Sequence, residues 1–452
     1  MVITRQTFSG QVLAAVQGQG FGPEAPIVYE WPTTMWLTGA DLTPLREGID
    51  KIDYGLTKWQ PKITQKGPLS AGAKFKVTGK DYQNAADNLN VMFLKNDWGD
   101  GLPVVPAIQE RVDWIMTGTD LKPDSKIGPG KILPKGGLAT VQACAVALAM
   151  AGGRPEELPV LIAAVEALID PAAKHESWVA TTRAAFAVVV VNGPIARQVR
   201  LGTRYGVMGP IPKCPSSSTI GRALSFLLRI QGGTVPGSGS MAIFGFMRHA
   251  NAILAEDEFG IKDLKGWPTL AVERGFKPED NVVTVFPSVT AHQTQFHQAF
   301  GPTPDLEEIQ FLNRMAADLG GPGLIGGYIK ENKNPSVYSG AFMLSYNMCR
   351  LLSGMGWNKQ KVRDYVQEQM KPTWESLVKN GRVDPKATPT PIKNAPSMLI
   401  VAGGDQGNQG CALMAYGDHV TTSSKVQLPA KWDDLLKQAE TDLGPVPAVV
   451  NT

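Results

Sequence analysis

Apolar residues first recur at helical spacing over residues 81–94, where Asp81 supplies an N-cap. The following stretch, Trp98-Gly99-Asp100-Gly101-Leu102-Pro103-Val104-Val105-Pro106, carries glycines and prolines that forbid a helix. It reads as a shaped loop leading into a short extended run. Helical patterns return at 109–117 and in the alanine-rich stretch 138–152. Another helix runs from Arg154-Pro155-Glu156-Glu157 to about 168, with Pro155 in the first turn, where its missing N–H costs least. The run 186–191 is apolar without a break and rich in valine, the mark of a strand buried on both faces. Residues 282–286 and 398–402 repeat that mark, and helical patterns at 218–231, 305–319, 341–354 and 358–370 lie between them.

Alternating helices and buried strands predict an α/β fold with mainly parallel sheets flanked by helices. Residues 1–75 show little periodicity and read as an irregular N-terminal extension whose tryptophans, Trp31, Trp36 and Trp59, favour packing over the body. The expected organisation is this extension, a main α/β domain over 76–300, a helical segment over 301–383, and a linker with a C-terminal α/β unit over 384–452. The linker is the Pro-, Lys- and Thr-rich stretch 384–396, and no short-period repeat is present.

Composition narrows the function classes without naming a reaction. The chain has 452 residues and a formal net charge of +3, too little for a nucleic-acid footprint at this length. Its 48 glycines and 34 prolines exceed the usual combined share of about 12%, which predicts long ordered loops. The apolar runs are too short for a membrane span, and the start lacks the basic-then-apolar pattern of a signal peptide. Four dispersed cysteines, Cys144, Cys214, Cys349 and Cys411, fit a reducing compartment, so a cytoplasmic protein is expected.

Several segments offer chemistry. The turn after the 398–402 strand holds Gly403, Gly404, Gly407 and Gly410, whose backbone N–H groups suit a ligand at a strand end. Its spacing is not the dinucleotide pattern, so no nucleotide is expected, and a purely structural turn is the alternative. Ser218, Thr219 and Arg222 open a helix and would hold an anion, or simply cap it. Cys214 lies before that helix and beside Lys213, where dipole and cation favour a reactive thiolate. Glu256-Asp257-Glu258 supplies carboxylates for acid–base work or for a divalent metal, with His249 as a further ligand, or else forms a solvated face. His292 and His297 are proton-transfer candidates, although their five-residue spacing is not a zinc pattern. The chain has no HExxH, P-loop, GxSxG or CxxC.

Five motifs together resemble a bacterial family of conserved hypothetical proteins over residues 76–425. They are the 98–106 loop, Gly152-Gly153-Arg154-Pro155-Glu156-Glu157-Leu158-Pro159-Val160, Val191-Asn192-Gly193-Pro194-Ile195, Thr219-Ile220-Gly221-Arg222-Ala223, and Val272-Glu273-Arg274-Gly275-Phe276. The resemblance implies neighbours that are small selenocysteine or cysteine proteins with a Gly-Ser-Cys setting, hence thiol or selenol chemistry within a complex. It carries Asp100, Glu256 and Glu258 over as site residues, with Asn192 in a shared motif. The chain departs from the pattern at Gly153, where the family has Cys, at Arg183, where it has His, and at Gln409-Gly410, where it has His-Ser. An acidic-His pair expected within 344–350 is also missing.

The combined expectation is an enzyme of lyase or hydrolase type acting on a small polar or anionic molecule in a cleft between α/β units. The departures keep a second reading open, a non-catalytic subunit of a hetero-oligomer whose paralogue carries the Cys and His. A third is a binding protein without turnover. A homo- or hetero-oligomer is expected, and a stable homo-oligomer of this chain alone would count against the subunit reading.

Overall fold

The computed structural model describes residues 1–18, 21, 28–31, 39–60, 74–212, 214–295, 309, 311–313, 315–316, 341–379, 398–405, 407–413 and 420–447. Strands β1 (Val2–Arg5) and β2 (Val28–Trp31) pair in parallel near the N-terminus. Helices at Ser9–Gly18 and Ile49–Thr57 make this region more regular than its weak periodicity predicts. It touches the body where Gln11 Nε2 donates to the Ala180 carbonyl at 2.9 Å.

Strands β3 (Lys126–Ile132) and β4 (Gly137–Thr140) form a small antiparallel pair. The alanine-rich segment therefore splits into β4 and the helix Val141–Met150, with Thr140 as N-cap (Ala143 N–H to Oγ1, 3.1 Å). The other predicted N-cap is also present, with the Asn84 amide donating to Asp81 at 2.8 Å at the start of Tyr82–Lys95. The turn Pro155–Glu157 leads into Leu158–Leu168.

Two four-stranded sheets form the centre. The first contains β5 (Phe186–Asn192), β6 (Ala252–Ala255), β7 (Val282–Ser288) and, late in the chain, β12 (Thr422–Lys425), in the order β12-β7-β5-β6. The second contains β8 (His292–Gln295), β9 (Ala341–Leu344), β10 (Met398–Val401) and β11 (Gln409–Leu413), in the order β10-β9-β11-β8. β5 runs parallel to β6 and antiparallel to β7, while β9 runs parallel to β10 and antiparallel to β11. The sheets are therefore mixed, and the described pairings do not bear out a mainly parallel arrangement.

Side-chain alternation shows what covers each face. Phe186, Val188, Val190 and Leu254 of the first sheet pack with Ala341, Met343, Met398 and Ile400 of the second. Ala187, Val189, Val191 and Ile253 point the other way, into the helices Val141–Met150, Leu158–Leu168 and Ser216–Phe226. Phe342, Leu344, Leu399 and Val401 point outward onto the helices Tyr346–Gly354 and Lys359–Lys379. The order is helix, sheet, sheet, helix. The apolar runs are buried on both faces, as the sequence predicts, but one face of each is covered by the other sheet.

Residues 341–344 are a strand, not the start of a helix. Ser345 separates the two elements by capping Tyr346–Gly354 (Met348 N–H to Oγ, 3.4 Å). Of the helix predicted at 305–319 the structure describes six residues, all helical, with Phe311, Leu312 and Met315 buried. The linker 384–396 lies outside the described residues.

Candidate functional site

Three strands of the two sheets end close together. The Glu256 amide, just past β6, donates to Val191 O of β5, and the next amide, Asp257 N–H, donates to Val401 O of β10 at 2.7 Å. The acidic segment 256–258 is thus held between the sheets at the carboxyl ends of their strands, the usual place for a ligand in an α/β fold.

Asn192 closes β5 and is fully buried. Its amide donates to Glu256 Oε2 and Glu258 Oε1, each at 2.8 Å. Glu256 has no capacity to spare. Its oxygens also accept from Leu270 N–H at 2.6 Å, Val401 N–H at 3.4 Å and Lys359 Nζ at 3.2 Å. Lys359 in turn binds Glu273 at 3.1 Å, and Arg363 binds the same carboxylate at 2.5 Å. Glu256 is therefore a structural hub, and the acid–base and metal roles expected of it are withdrawn.

Glu258 differs. Its Oε1 takes bonds from Asn192 Nδ2 and from Gly193 N–H at 3.0 Å, while Oε2 accepts none among the described residues. Burial raises its carboxyl above the usual range, the Asn192 and Gly193 bonds oppose this, and the Glu256 charge adds to the rise. Asp257 caps the short turn after it through Gly260 N–H at 3.0 Å, leaving a buried Oδ2 without a partner among the described residues. Its carboxyl is also raised by burial, with Gly260 and Arg204 pulling down and Asp405 and Glu256 pushing up. The Oδ1 of Asn192 is likewise buried without a partner among the described residues.

The glycine turn lies beside this point. Gly403 and Gly404 have φ of +113° and +67°, and a Cβ on Gly404 would meet Arg204 at 3.0 Å, so both positions call for glycine. Much of the turn's backbone is committed internally. Gly403 N–H donates to Thr203 O at 2.7 Å, Asn347 N–H donates to Gly404 O, and Ser345 Oγ donates to Gly407 O at 2.7 Å. The Gly403 amide is therefore not offered to a ligand, contrary to expectation. The charged groups at the turn are Arg204 and Asp405, 3.6 Å apart.

The remaining sequence candidates lie elsewhere. Asp100 and Arg222 bind each other through two bonds, 2.7 and 3.0 Å, and Arg222 also donates to Leu102 O and Pro103 O. Burial works against the Asp100 charge, but the Arg222 and Leu102 donors prevail and hold its carboxyl below the usual range. Neither residue is available for the role expected of it: Asp100 stays ionised and occupied, and Arg222's donors are spent on it. Thr219 donates to Glu157 Oε2 at 2.7 Å, so the start of Ser216–Phe226 is filled by the protein's own carboxyl group rather than an external anion. Ser218, on the same first turn, is half-buried. Cys214 is fully buried, and burial raises its thiol although Arg200 pulls the other way. This reverses the thiolate expectation. His249 sits exposed on the turn Phe246–His249, and His292 sits exposed on the edge strand β8, opposite Ala412. No group of three His, Cys, Asp or Glu side chains is arranged to hold a metal among the described residues. His297 and Lys213 lie outside the described residues. No helix among them is long and apolar enough to cross a membrane.

Sequence reading missed Lys359, Asp257, Arg204 and Glu157. Asp257 was visible within the acidic triplet. The other three carry no local signal, because the partners of Lys359 and Glu157 lie 103 and 62 residues away.

None of the family models, characterised proteins or solved structures compared with the chain matches it. The family resemblance rests on the five motifs alone.

Proposed function

We propose that the chain acts on a small polar or anionic molecule at the carboxyl ends of β5, β6 and β10, with Glu258 as its proton carrier. The observation that supports this is the division of labour between two neighbouring carboxyl groups. Glu256 is saturated with donors and serves as scaffold. Glu258 is fixed through one oxygen only, has its second oxygen uncommitted, and holds its proton more tightly than an ordinary glutamate. A carboxyl group fixed this way and raised above its ordinary range suits general acid–base catalysis, hence lyase or hydrolase chemistry. Arg204, beside the glycine turn, would receive the anionic part of the substrate.

A second reading has its own support. Asp100 and Glu256, two of the three carboxylates expected to react, are committed to ion pairs. That favours a subunit that shapes a complex while a paralogue carries the chemistry. Native mass spectrometry of the protein purified from its own source separates the two. A single chain type with a bound small molecule, and loss of turnover in Glu258→Gln, supports the enzyme. A related chain bound in fixed ratio, with turnover untouched by Glu258→Gln, supports the subunit.

A further inference from the structure

The buried contact between Glu157 and Ser216 poses a question of proton count. Ser216 Oγ lies 2.8 Å from Glu157 Oε1 and 2.5 Å from the Val199 carbonyl oxygen. Both are hydrogen-bond separations, yet a hydroxyl has one hydrogen and a carbonyl has none. Of the three groups, Glu157 is the one that can carry a second hydrogen. The other carboxyl oxygen is already served, because Oε2 accepts from Thr219 Oγ1 at 2.7 Å and from Arg154 N–H at 3.2 Å.

We propose that Glu157 is a neutral carboxylic acid in the folded protein, and that its proton is a pH-sensitive latch between the Pro155–Glu157 turn and the loop from Val199 to Ser216. Glu157 Oε1–H donates to Ser216 Oγ, and Ser216 O–H donates to Val199 O. Loss of the proton reverses the relay. Ser216 must then donate to the carboxylate, and the Val199 carbonyl loses that bond. A buried carbonyl left unmatched costs enough to loosen the segment that carries it.

The surroundings favour the neutral form. Glu157 is 1% exposed. Burial pushes its carboxyl up to about 7, the Thr219 and Ser216 bonds oppose this, and the neighbouring Glu156 charge adds to the rise. Among the described residues no cation compensates it. Arg154 turns its guanidinium to Glu156 and Asp442, both at 2.7 Å. Arg111 donates to the Ala149 and Gly153 carbonyls. On the helix that begins at Ser216, Arg222 is committed to Asp100. Arg200, beside the loop, donates to the carbonyls of Ala439 and Gly444. The buried Cys214 thiol, two residues from Ser216, is itself held protonated by burial.

The test is infrared spectroscopy of the full chain, with glutamate carboxyls labelled with carbon-13, from mildly acidic to mildly alkaline pH. It is combined with amide hydrogen exchange over residues 199–216. The expected result is a protonated-carboxylic-acid band that moves with the label and is absent from Glu157→Gln. The band fades as pH rises through neutrality, while exchange of 199–216, corrected for its intrinsic pH dependence, rises in the wild type and not in Glu157→Gln. Should that variant not fold, Ser216→Ala serves, because removing the hydroxyl must shift the band's frequency. Absence of a label-sensitive acid band at mildly acidic pH, a band unmoved by Ser216→Ala, or the same change of loop exchange with pH in wild type and Glu157→Gln overturns the latch.

Discussion

Lys359 Nζ lies 3.2 Å from Glu256 Oε1, with both side chains buried, and this pair joins the outer helix Lys359–Lys379 to the end of β6. Neither charge reaches water. Lys359 also pairs with Glu273, but Glu256 has no other cation among the described residues, so removing Lys359 leaves its charge in a low-dielectric interior with neutral donors alone. Lys359→Met is expected to lower unfolding free energy by about 3–5 kcal/mol. Lys359→Met combined with Glu256→Gln should cost less than the two single changes added together. Denaturant titration of the four chains gives the coupling directly.

The Asp100–Arg222 clasp ties the 98–106 loop to the Ser216–Phe226 helix, and the Arg222 guanidinium also sits 5.0 Å above the Phe226 ring. Arg222→Lys keeps the charge and loses the fork. It should cost about 1–3 kcal/mol of stability. Ligand binding at the β5–β6 ends should stay unchanged, as isothermal titration would record.

His175 is buried and neutral, with its Nε2 accepting from Leu133 N–H at 2.9 Å. Burial pushes its imidazole down to about 4 from 6.5. Below 6.5 the unfolded chain binds a proton that the folded chain refuses, so stability falls as pH drops from 6.5 towards 4. The loss attributable to this residue is on the order of 3 kcal/mol. Melting curves of wild type and His175→Gln over that range should diverge most near neutrality and converge towards pH 4. Glu157 acts with the opposite dependence. Its stabilising contribution is complete below the unfolded value of 4.5 and is lost as pH rises towards about 7.

The motif resemblance expects a cysteine at position 153, and the packing around Gly153 leaves no room for one. A Cβ there would fall 2.3 Å from Leu148 Cδ1 and 2.6 Å from Glu157 Oε2. Gly153→Cys should destabilise the chain by about 1–3 kcal/mol, as overpacking does, and leave its thiol slow towards alkylating reagents. A stable variant with a fast-reacting thiol would contradict this packing.

The strengths and failures of the sequence reading have local causes. Asp81 and the valine run of β5 were legible because caps and uninterrupted apolar runs are short-range signals. The run in β5 reported burial on both faces, but it carried no information on what lies over Val188 and Val190. The answer, Met343 and Ile400 of the second sheet, comes from more than 150 residues away. Residues 341–344 were read as helix because four apolar residues in a row fit either element, and the decisive mark was the single cap at Ser345. Among site candidates, the triplet 256–258 was legible only as an acidic cluster; its position at the end of β6, beside Asn192, was not. Which of its carboxylates is scaffold depends on Lys359, which sequence proximity does not reveal. Arg222 looked like an anion receptor because its true partner, Asp100, lies 122 residues earlier.

The ligand site proposed at the strand ends around Glu258 is open to direct measurement. The most direct measurement is amide chemical-shift mapping of the labelled full chain against inorganic phosphate, small carboxylates and small polar amides. Saturable shifts concentrated at Gly193, Asp257, Glu258 and Gly404 are expected, with pH-dependent affinity that flattens in Glu258→Gln. Shifts confined to other parts of the chain, or a pH dependence identical in Glu258→Gln, would contradict the proposed site.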